Sequence, residues 1–165
     1  MSEPTSLSPA RTSQLFAITI DQNALGQRNA NVEHEREVAI FDLLDGNSFA
    51  LEGRDDGPYK LHLSVAEDRL VMLVGNAEEE GLLTHQLPLA PFRRLLKDYF
   101  IVCDSYYQAI RTAPPSRIQA IDVDRRALHD EGSRLLLERL AGKINVDFDT
   151  ARRLFTLICA LHWKG

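Results

Sequence analysis

Residues 91–111 read PFRRLLKDYFIVCDSYYQAIR, and the fold is organised around this stretch. At about 100° per residue, its apolar side chains fall on one half of a helical wheel and its charged side chains on the other. Pro91 suits a first helical turn, whereas Pro114 and Pro115 end the helix because the residue before a proline is forced out of the α region. So wide an apolar face predicts a helix that packs against a sheet and also contacts other helices. The apolar half comprises Phe92, Leu95, Leu96, Tyr99, Phe100, Val102, Cys103, Tyr106, Tyr107, Ala109 and Ile110.

The segments that precede this helix have the pattern of β-strands. Residues 14–20 are β-branched and aromatic, and residues 59–65 alternate apolar and polar side chains, as in a strand with one buried face. Residues 69–74 and 82–89 are two further apolar runs between turn-forming segments. These patterns predict an antiparallel meander of three strands, to which residues 14–20 add a fourth.

The remaining apolar periodicity predicts helices. Residues 31–45 form one helix whose second half, VAIFDLL at 38–44, is apolar nearly all round and should therefore be deeply buried. Residues 114–143 are predicted to be helical, with a break near Asp122–Asp124 and an end at Gly142, and Asp149 caps a last helix. The expected fold class is therefore α+β, with an antiparallel sheet of about four strands and four or five helices packed mainly on one face.

Length and composition favour a soluble protein with one core. The chain has 165 residues, of which 44% are apolar and 26% charged; residues 1–13 are Ser/Thr/Pro-rich and predicted to be a disordered tail, and residues 14–165 a single domain. No apolar run approaches the roughly 18–20 residues that a membrane-spanning helix needs. The first residues lack the apolar core of a secretory signal, so we expect a cytoplasmic protein. Cys103 and Cys159 are expected to be buried free thiols.

The charge is distributed unevenly along the chain. Residues 1–90 contain 6 Lys and Arg against 15 Asp and Glu, a net charge of −9, and residues 91–165 contain 13 against 9, a net charge of +4. The surface is therefore expected to be dipolar but not strongly basic. Binding to nucleic acid is accordingly the least favoured function, because a nucleic-acid-binding domain normally presents a basic patch.

Four segments resemble an uncharacterised (UPF-type) family of alphaproteobacterial proteins of unknown function. They are VEHEREVAIFDLLDGNSFA at 32–50, APFRRLLKDYF with SYYQAIR at 90–100 and 105–111, IQAIDVDRRALHDEGSRLLLERLAGK at 118–143, and FDTARRLFTLICALHWKG at 148–165. The resemblance extends from about residue 14 to the end of the chain, with the segments in the same order. It implies no activity, cofactor or catalytic residue, so no functional role is transferred to this chain.

The histidines outside the helical cluster do not form a recognisable metal motif. His34 lies in EHER, which is not HExxH because position 38 is Val. His62 and His85 lie on neighbouring predicted strands, but a zinc site needs at least a third protein ligand. The sequence contains no GxGxxG, Walker A or GxSxG motif. We therefore predict no metal, no cofactor and no catalytic residue.

One polar cluster lies on the predicted helix between Asp124 and Ala141. Arg125, His129 and Arg139 share the side of the helix that carries leucines, so they require partners. Gly132 lies about one turn after His129, where a missing side chain permits a close approach. In the first interpretation the arginines pair with acids such as Asp122 or Asp147 in a structural network. In the second they form an anion-binding groove, completed by Arg152 and Arg153.

A second candidate site is Ile101, which lies on the polar half of the long helix. Single exposed isoleucines are common and usually carry no function. The alternative is an apolar anchor with a charged rim, including Arg94 and Lys97, that contacts an unknown protein partner or a second copy. We expect a non-enzymatic cytoplasmic binding or regulatory module. The alternative is an enzyme or ligand-binding domain for a small molecule that bears phosphate or carboxylate.

Overall fold

The computed structural model describes residues 12–21 and 30–162 of the chain. The elements within these residues follow in the order β1 (Leu15–Ile20), α1 (Ala30–Asp45), β2 (Phe49–Leu51), β3 (Tyr59–Ala66), β4 (Arg69–Asn76), β5 (Gly81–Pro88), α2 (Ala90–Thr112), α3 (Pro115–Leu140), β6 (Ile144–Val146) and α4 (Phe148–His162). The fold class is α+β, as predicted from the sequence.

Residues 1–11 of the predicted tail lie outside the described residues. The last two tail residues contact the folded chain: the Thr12 hydroxyl donates to Asp55 Oδ1 at 2.7 Å, and the Ser13 carbonyl accepts from the Phe49 N–H at 2.9 Å. Thr12 and Ser13 therefore lie against the folded chain.

The main sheet has the strand order β1-β3-β4-β5 and is mixed. Strands β3, β4 and β5 form the predicted antiparallel meander, with Leu63 opposite Met72 and Met72 opposite His85. The prediction of a wholly antiparallel sheet is wrong at β1, which pairs with β3 in parallel, with Ile18 opposite Leu61. A parallel pair needs a long crossover connection, and the segment between Ile20 and Tyr59, which contains α1, provides it.

The sheet buries one face beneath the helices and exposes the other. On β3 and β4, Leu61, Leu63 and Met72 are each about 1% exposed, whereas Lys60 and His62 on the opposite face are partly accessible. The period of two in the sequence sets this division, because successive side chains of a strand point to opposite faces. A second, two-stranded sheet joins β2 to β6 in antiparallel fashion.

Helix α2 has the predicted limits, with Pro91 in its first turn and its end just before Pro114. Its first half is buried as expected, but Tyr107 and Ile110, which the wheel placed on the apolar half, are both 51% exposed. Helix α3 is its main helical neighbour. A single neighbouring helix covers only part of a face that spans half the circumference, so the last turns of α2 present apolar side chains to solvent.

Helix α1 is not deeply buried, contrary to the prediction for residues 38–44. It buries Ala39 and Leu43, but Phe41 is 69% exposed and Val38 and Leu44 are also exposed. The helix packs against α4 and β1. These neighbours cover one side of the helix, so its other side remains accessible even though the sequence is apolar nearly all round.

Helix α3 is continuous, so the predicted break at Asp122–Asp124 is wrong. Asp122 instead accepts hydrogen bonds from side chains one turn further along the same helix. The predicted end is correct: the Ala141 N–H donates to the Leu137 carbonyl at 3.1 Å, and Gly142 follows with a φ of +85°. A glycine adopts this left-handed conformation without the steric cost that other residues incur.

Helix α4 begins at a different cap from the predicted one. Asp147 Oδ1 accepts from the Thr150 N–H at 2.8 Å, whereas Asp149 lies within the first turn. The predicted cap was therefore two residues too late. No helix in residues 12–21 and 30–162 is long and apolar enough to cross a membrane.

Candidate functional site

His129 on α3 is enclosed by aromatic rings from two other helices. Its ring centroid lies 5.6 Å from that of Tyr99 on α2 and 5.2 Å from that of Phe155 on α4. Its Nε2 lies 2.7 Å from Thr156 Oγ1, which itself donates to the Arg152 carbonyl at 3.0 Å. A hydroxyl has one proton to donate, so the Thr156 oxygen accepts the proton of His129 Nε2. Nδ1 then carries the lone pair, and it is buried without a hydrogen-bond partner.

The surroundings keep His129 uncharged. Burial lowers the pKa of His129 to about 4, and the positive charges of Arg152 and Arg125 act in the same direction. Asp130 opposes this shift without cancelling it. The imidazole is therefore neutral at pH 7 and cannot supply a positive charge to a bound anion.

Gly132 is explained by packing. A Cβ added at this position would overlap the Phe155 ring, and even the most distant of the three nearest ring atoms, Cε2, would lie 2.6 Å away. The close approach that the sequence predicted at Gly132 is therefore made by Phe155. This contact lets α3 and α4 approach each other closely around the His129 ring.

Arg125 has the carboxylate partner that the structural interpretation predicted. Its Nε donates to Asp122 Oδ1 at 3.0 Å, a second guanidinium nitrogen donates to the same oxygen, and its carbon atom Cζ lies 4.7 Å from the centre of the Tyr106 ring. Asp122 also accepts from Arg126 Nε at 2.9 Å. The hydrogen bond from Arg125 is the main reason that the pKa of Asp122 is lowered.

The other predicted arginines divide between two locations. Arg152 lies beside His129, and its Nε is 3.4 Å from Asp130 Oδ1. Arg153 instead donates from Nη1 to the Gly46 carbonyl at 2.6 Å, which joins α4 to the end of α1. Arg139 is exposed and lies ten residues after His129, about 15 Å along the helix. The structure thus brings together Arg125, His129 and Arg152, and places Arg139 and Arg153 elsewhere.

The two cysteines are free and buried, as predicted. Burial raises the pKa of the Cys103 thiol and raises that of Cys159 strongly. Burial also raises the pKa of Tyr99, which lies between Cys103 and His129. A thiol must ionise to act as a nucleophile, so burial makes both thiols poorer nucleophiles than an exposed cysteine.

The register of the main sheet separates His62 from His85. His62 lies opposite Leu73, whose other partner is Thr84, whereas His85 lies opposite Met72. Because side chains alternate between faces along a strand, the two histidines occupy opposite faces and cannot bind one metal ion. No group of three or more potential metal-binding side chains occurs within the described part of the chain.

The second candidate site, around Ile101, lies on the outward side of α2. Ile101 is 55% exposed, and Lys97 and Arg94 are exposed one and two turns earlier on the helix, respectively. Arg94 also lines an open groove of about 580 Å³ between α2 and α3. The groove has leucines on its floor and charges of both signs on its rim, namely Arg94, Asp98, Glu131, Arg134 and Glu138.

The exposed apolar face of α1 was not predicted from the sequence. Phe41 protrudes between Val38 and Leu44, and the neighbouring exposed charges are all carboxylates. The acidic residues interspersed in VEHEREVAIFDLLD indicated that one side of this helix is accessible. The apolar run within it instead led to the prediction that the helix is deeply buried. The aromatic partners of His129 were also missed, because they belong to helices distant in sequence.

The fold and the buried cluster define a class: an α+β protein in which the His129 ring packs between α2 and α4 and its Nε2 contacts Thr156 of α4. The chain belongs to the Uncharacterised protein family (UPF0262), whose model matches residues 12–164.

Relatives of similar length occur in several alphaproteobacteria. UPF0262 proteins of Rhodopseudomonas palustris strain BisB5 and Nitrobacter winogradskyi are each 54% identical over 152 residues, which is 92% of this chain and 93% and 91% of theirs. A UPF0262 protein of Bradyrhizobium sp. is 54% identical over 156 residues, covering 94% of this chain and 93% of its own. No solved structure matches this chain.

Proposed function

We propose that the protein is a non-enzymatic binding module of the cytoplasm that recognises another protein through the exposed face of α2 around Ile101. The observation that carries the proposal is the 55% exposure of an isoleucine within a rim of charged residues. An apolar centre with a charged, solvated rim is the usual anatomy of a modest protein interface. Arg94 and Lys97 belong to this rim.

The chemistry of the buried cluster supports binding over catalysis. The His129 imidazole is neutral, and the Cys103 and Cys159 thiols are protonated. Arg125 and Arg152 each face a carboxylate. Groups that are neutral or already paired hold helices in position, whereas general acid–base catalysis requires a group that titrates near the working pH.

The test is the variant Ile101→Asp, which places a charge in the centre of the proposed interface. We expect the variant to stay folded, because Ile101 is exposed, and to bind its partner at least tenfold more weakly, as for the loss of an interface anchor. The measurement is quantitative capture of proteins from native cytoplasm on the immobilised wild type and variant. Gln119→Asp, an exposed position on α3, controls for the added charge. Equal capture by wild type and Ile101→Asp would contradict the proposal.

A second candidate function is the binding of a small anion, as substrate or ligand, beside Arg125, His129 and Arg152. The observation that favours it is the effect of both arginines on the pKa of His129, which indicates a positive potential there. Phosphate, sulfate or a nucleotide should then raise the melting temperature, because a ligand of the folded state stabilises it. Arg152→Gln should remove the shift, whereas Arg139→Gln, on the same side of α3 but distant, should retain it. No shift with any of these anions would remove this candidate.

A further inference from the structure

Helix α1 exposes an apolar stripe on the side that faces away from its packing neighbours. Phe41 is 69% exposed, Val38 44% and Leu44 37%. Phe41 lies opposite Ala39 and Leu43 on the helix, and both of these residues are buried. Residues three apart are neighbours on a helix surface, so Val38 and Leu44 flank the Phe41 ring. The three side chains therefore form one continuous stripe.

The charged side chains beside this stripe are carboxylates. Glu37 and Asp45 lie four residues before and after Phe41 and therefore adjoin its ring, and Asp42 follows it directly. All three are exposed, and none forms an ion pair with a residue that the structure describes. We define the acidic face as this stripe and its carboxylates: Val38, Phe41, Leu44, Glu37, Asp42 and Asp45.

No exposed lysine or arginine offsets these charges between residues 33 and 45, all of which are described. The single arginine of this stretch, Arg36, is buried on the packed side. The single histidine, His34, is not a permanent cation. Arg153 of α4 reaches only the end of the helix, where its Nη1 donates to the Gly46 carbonyl at 2.6 Å. The charges of the acidic face are therefore of one sign.

This chemistry limits what can cover the face. Carboxylates repel the phosphates of nucleic acids and of anionic lipid headgroups, which attract basic segments instead. A second copy does not fit through Ile101, because Asp98 and Asp104 lie three residues before and after it and make its rim mixed in sign. The stripe from Val38 to Leu44 runs about 9 Å along α1, and ridges of this kind pack into the grooves of another helix. The occupant that fits is a helix whose apolar stripe lies between lysine and arginine side chains.

We propose that the acidic face of α1 binds a basic amphipathic helix of another protein. The apolar stripe of that helix covers Phe41, and its lysines and arginines pair with Glu37, Asp42 and Asp45. The interaction goes beyond the function proposed above, because it uses a different helix and does not require Ile101. Salt weakens it, because the Debye length falls from about 10 Å at 0.1 M to about 3 Å at 1 M.

The test measures the binding of a defined probe to the full chain. The probe is a fluorescent peptide of about five helical turns, with leucines on one side and lysines on the other, and fluorescence anisotropy gives its Kd. Phe41→Ala should raise the Kd at least tenfold, as for the loss of an interface anchor. Val123→Ala, at a 61% exposed apolar residue of α3, is the matched control and should bind like the wild type. A peptide with glutamates in place of the lysines should not bind.

A second pair of variants separates the acidic face from the overall net charge of −5. Glu37→Gln with Asp45→Asn should raise the Kd and reduce its dependence on salt. Asp124→Asn with Glu138→Gln, at exposed positions of α3, removes the same charge and should change neither. All of these substitutions alter exposed side chains, so circular dichroism should show that the variants stay folded.

Several results would overturn the inference. These are a wild type that does not bind the peptide, equal Kd values for the wild type and Phe41→Ala, and equal effects of the two neutralised pairs. A wild-type assembly that Phe41→Ala abolishes in light scattering would identify a second copy as the occupant instead, and binding to anionic vesicles that requires Phe41 would identify a membrane. Ile101→Asp should bind the peptide like the wild type, so a failure of the Ile101 surface in the capture experiment is distinguishable from a failure of the acidic face.

Discussion

Adding a single methyl group at Gly132 tests the packing of α3 against α4. In an exposed helix interior, Gly→Ala stabilises a protein by about 1 kcal/mol, because alanine loses less backbone freedom on folding. At Gly132 the added Cβ would overlap the Phe155 ring, with Cε2 at 2.6 Å. The two effects have opposite signs, so their magnitudes decide the outcome.

The Phe155 ring has little room to move. It is fully buried, and it contacts His129 at 5.2 Å and Tyr99 at 6.1 Å between ring centroids. The ring would have to shift by more than about 1 Å to reach the usual carbon–carbon separation of about 3.5–4.0 Å. Overpacking of this kind costs about 1–3 kcal/mol, and a displacement of this size belongs near the upper end of that range. We therefore expect Gly132→Ala to lower the free energy of unfolding by about 2 kcal/mol, after allowing for the gain in helix propensity.

A double-mutant cycle identifies the cause. Leucine lacks the Cζ, Cε1 and Cε2 atoms that the new methyl group would meet, so in a Phe155→Leu background Gly132→Ala should be neutral or stabilising by up to about 1 kcal/mol. Urea unfolding followed by circular dichroism gives the four free energies. The variant Ala127→Gly, at an exposed position of α3, measures the difference in helix propensity between alanine and glycine without the contact to Phe155. If Gly132→Ala stabilises the protein that retains Phe155, the proposed packing is refuted.

Three further predictions concern stability. His129 is neutral when folded, with a pKa of about 4 against 6.5 for the free side chain, so protons bind the unfolded chain first as the pH falls. Stability should decline between pH 6.5 and 4 by at most about 3 kcal/mol, and His129→Phe should flatten this decline in urea titrations at several pH values. Phe92→Ala should reduce the free energy of unfolding by about 3–5 kcal/mol, because Phe92 is fully buried; a loss below about 1 kcal/mol would show that the core is misassigned. Asp147→Ala should cost about 0.5–2 kcal/mol as the loss of a cap, and more than Asp149→Ala; thermal melts of both variants decide which aspartate caps α4.

Local sequence determined most of the elements. The prolines at 91, 114 and 115 set the limits of α2 because they act through the backbone of their own neighbourhood. The alternation of residues 59–65 set both the existence of β3 and its buried face. The end of α3 at Gly142 followed from a property of one residue. These features depend on residues that are close together in the sequence, and not on tertiary contacts.

The candidate sites depended on contacts that the sequence does not specify. Arg125, His129 and Arg139 share one side of α3 on a helical wheel, but the wheel does not display the rise of about 15 Å that separates Arg139 from His129. Only the packing of α4 brings Arg152 to His129. Gly132 was recognised as a place of close approach, yet its partner, Phe155, lies on another helix. Likewise, His62 and His85 occupy opposite faces because of strand register, which pairing across the sheet decides.

The exposure of Phe41 and the parallel pairing of β1 were also decided only at the tertiary level. An apolar run favours burial but does not state how many neighbours a helix will have, and among the described residues α1 packs mainly against α4 and β1, while Val38, Phe41 and Leu44 stay exposed. A strand-forming segment likewise pairs in either direction, and the crossover through α1 selected the parallel one. The sequence by itself determined which segments form helices and strands, because propensity, periodicity and prolines act within a few residues. Only the tertiary structure decided which faces remain in water, because burial depends on residues brought together from distant parts of the chain.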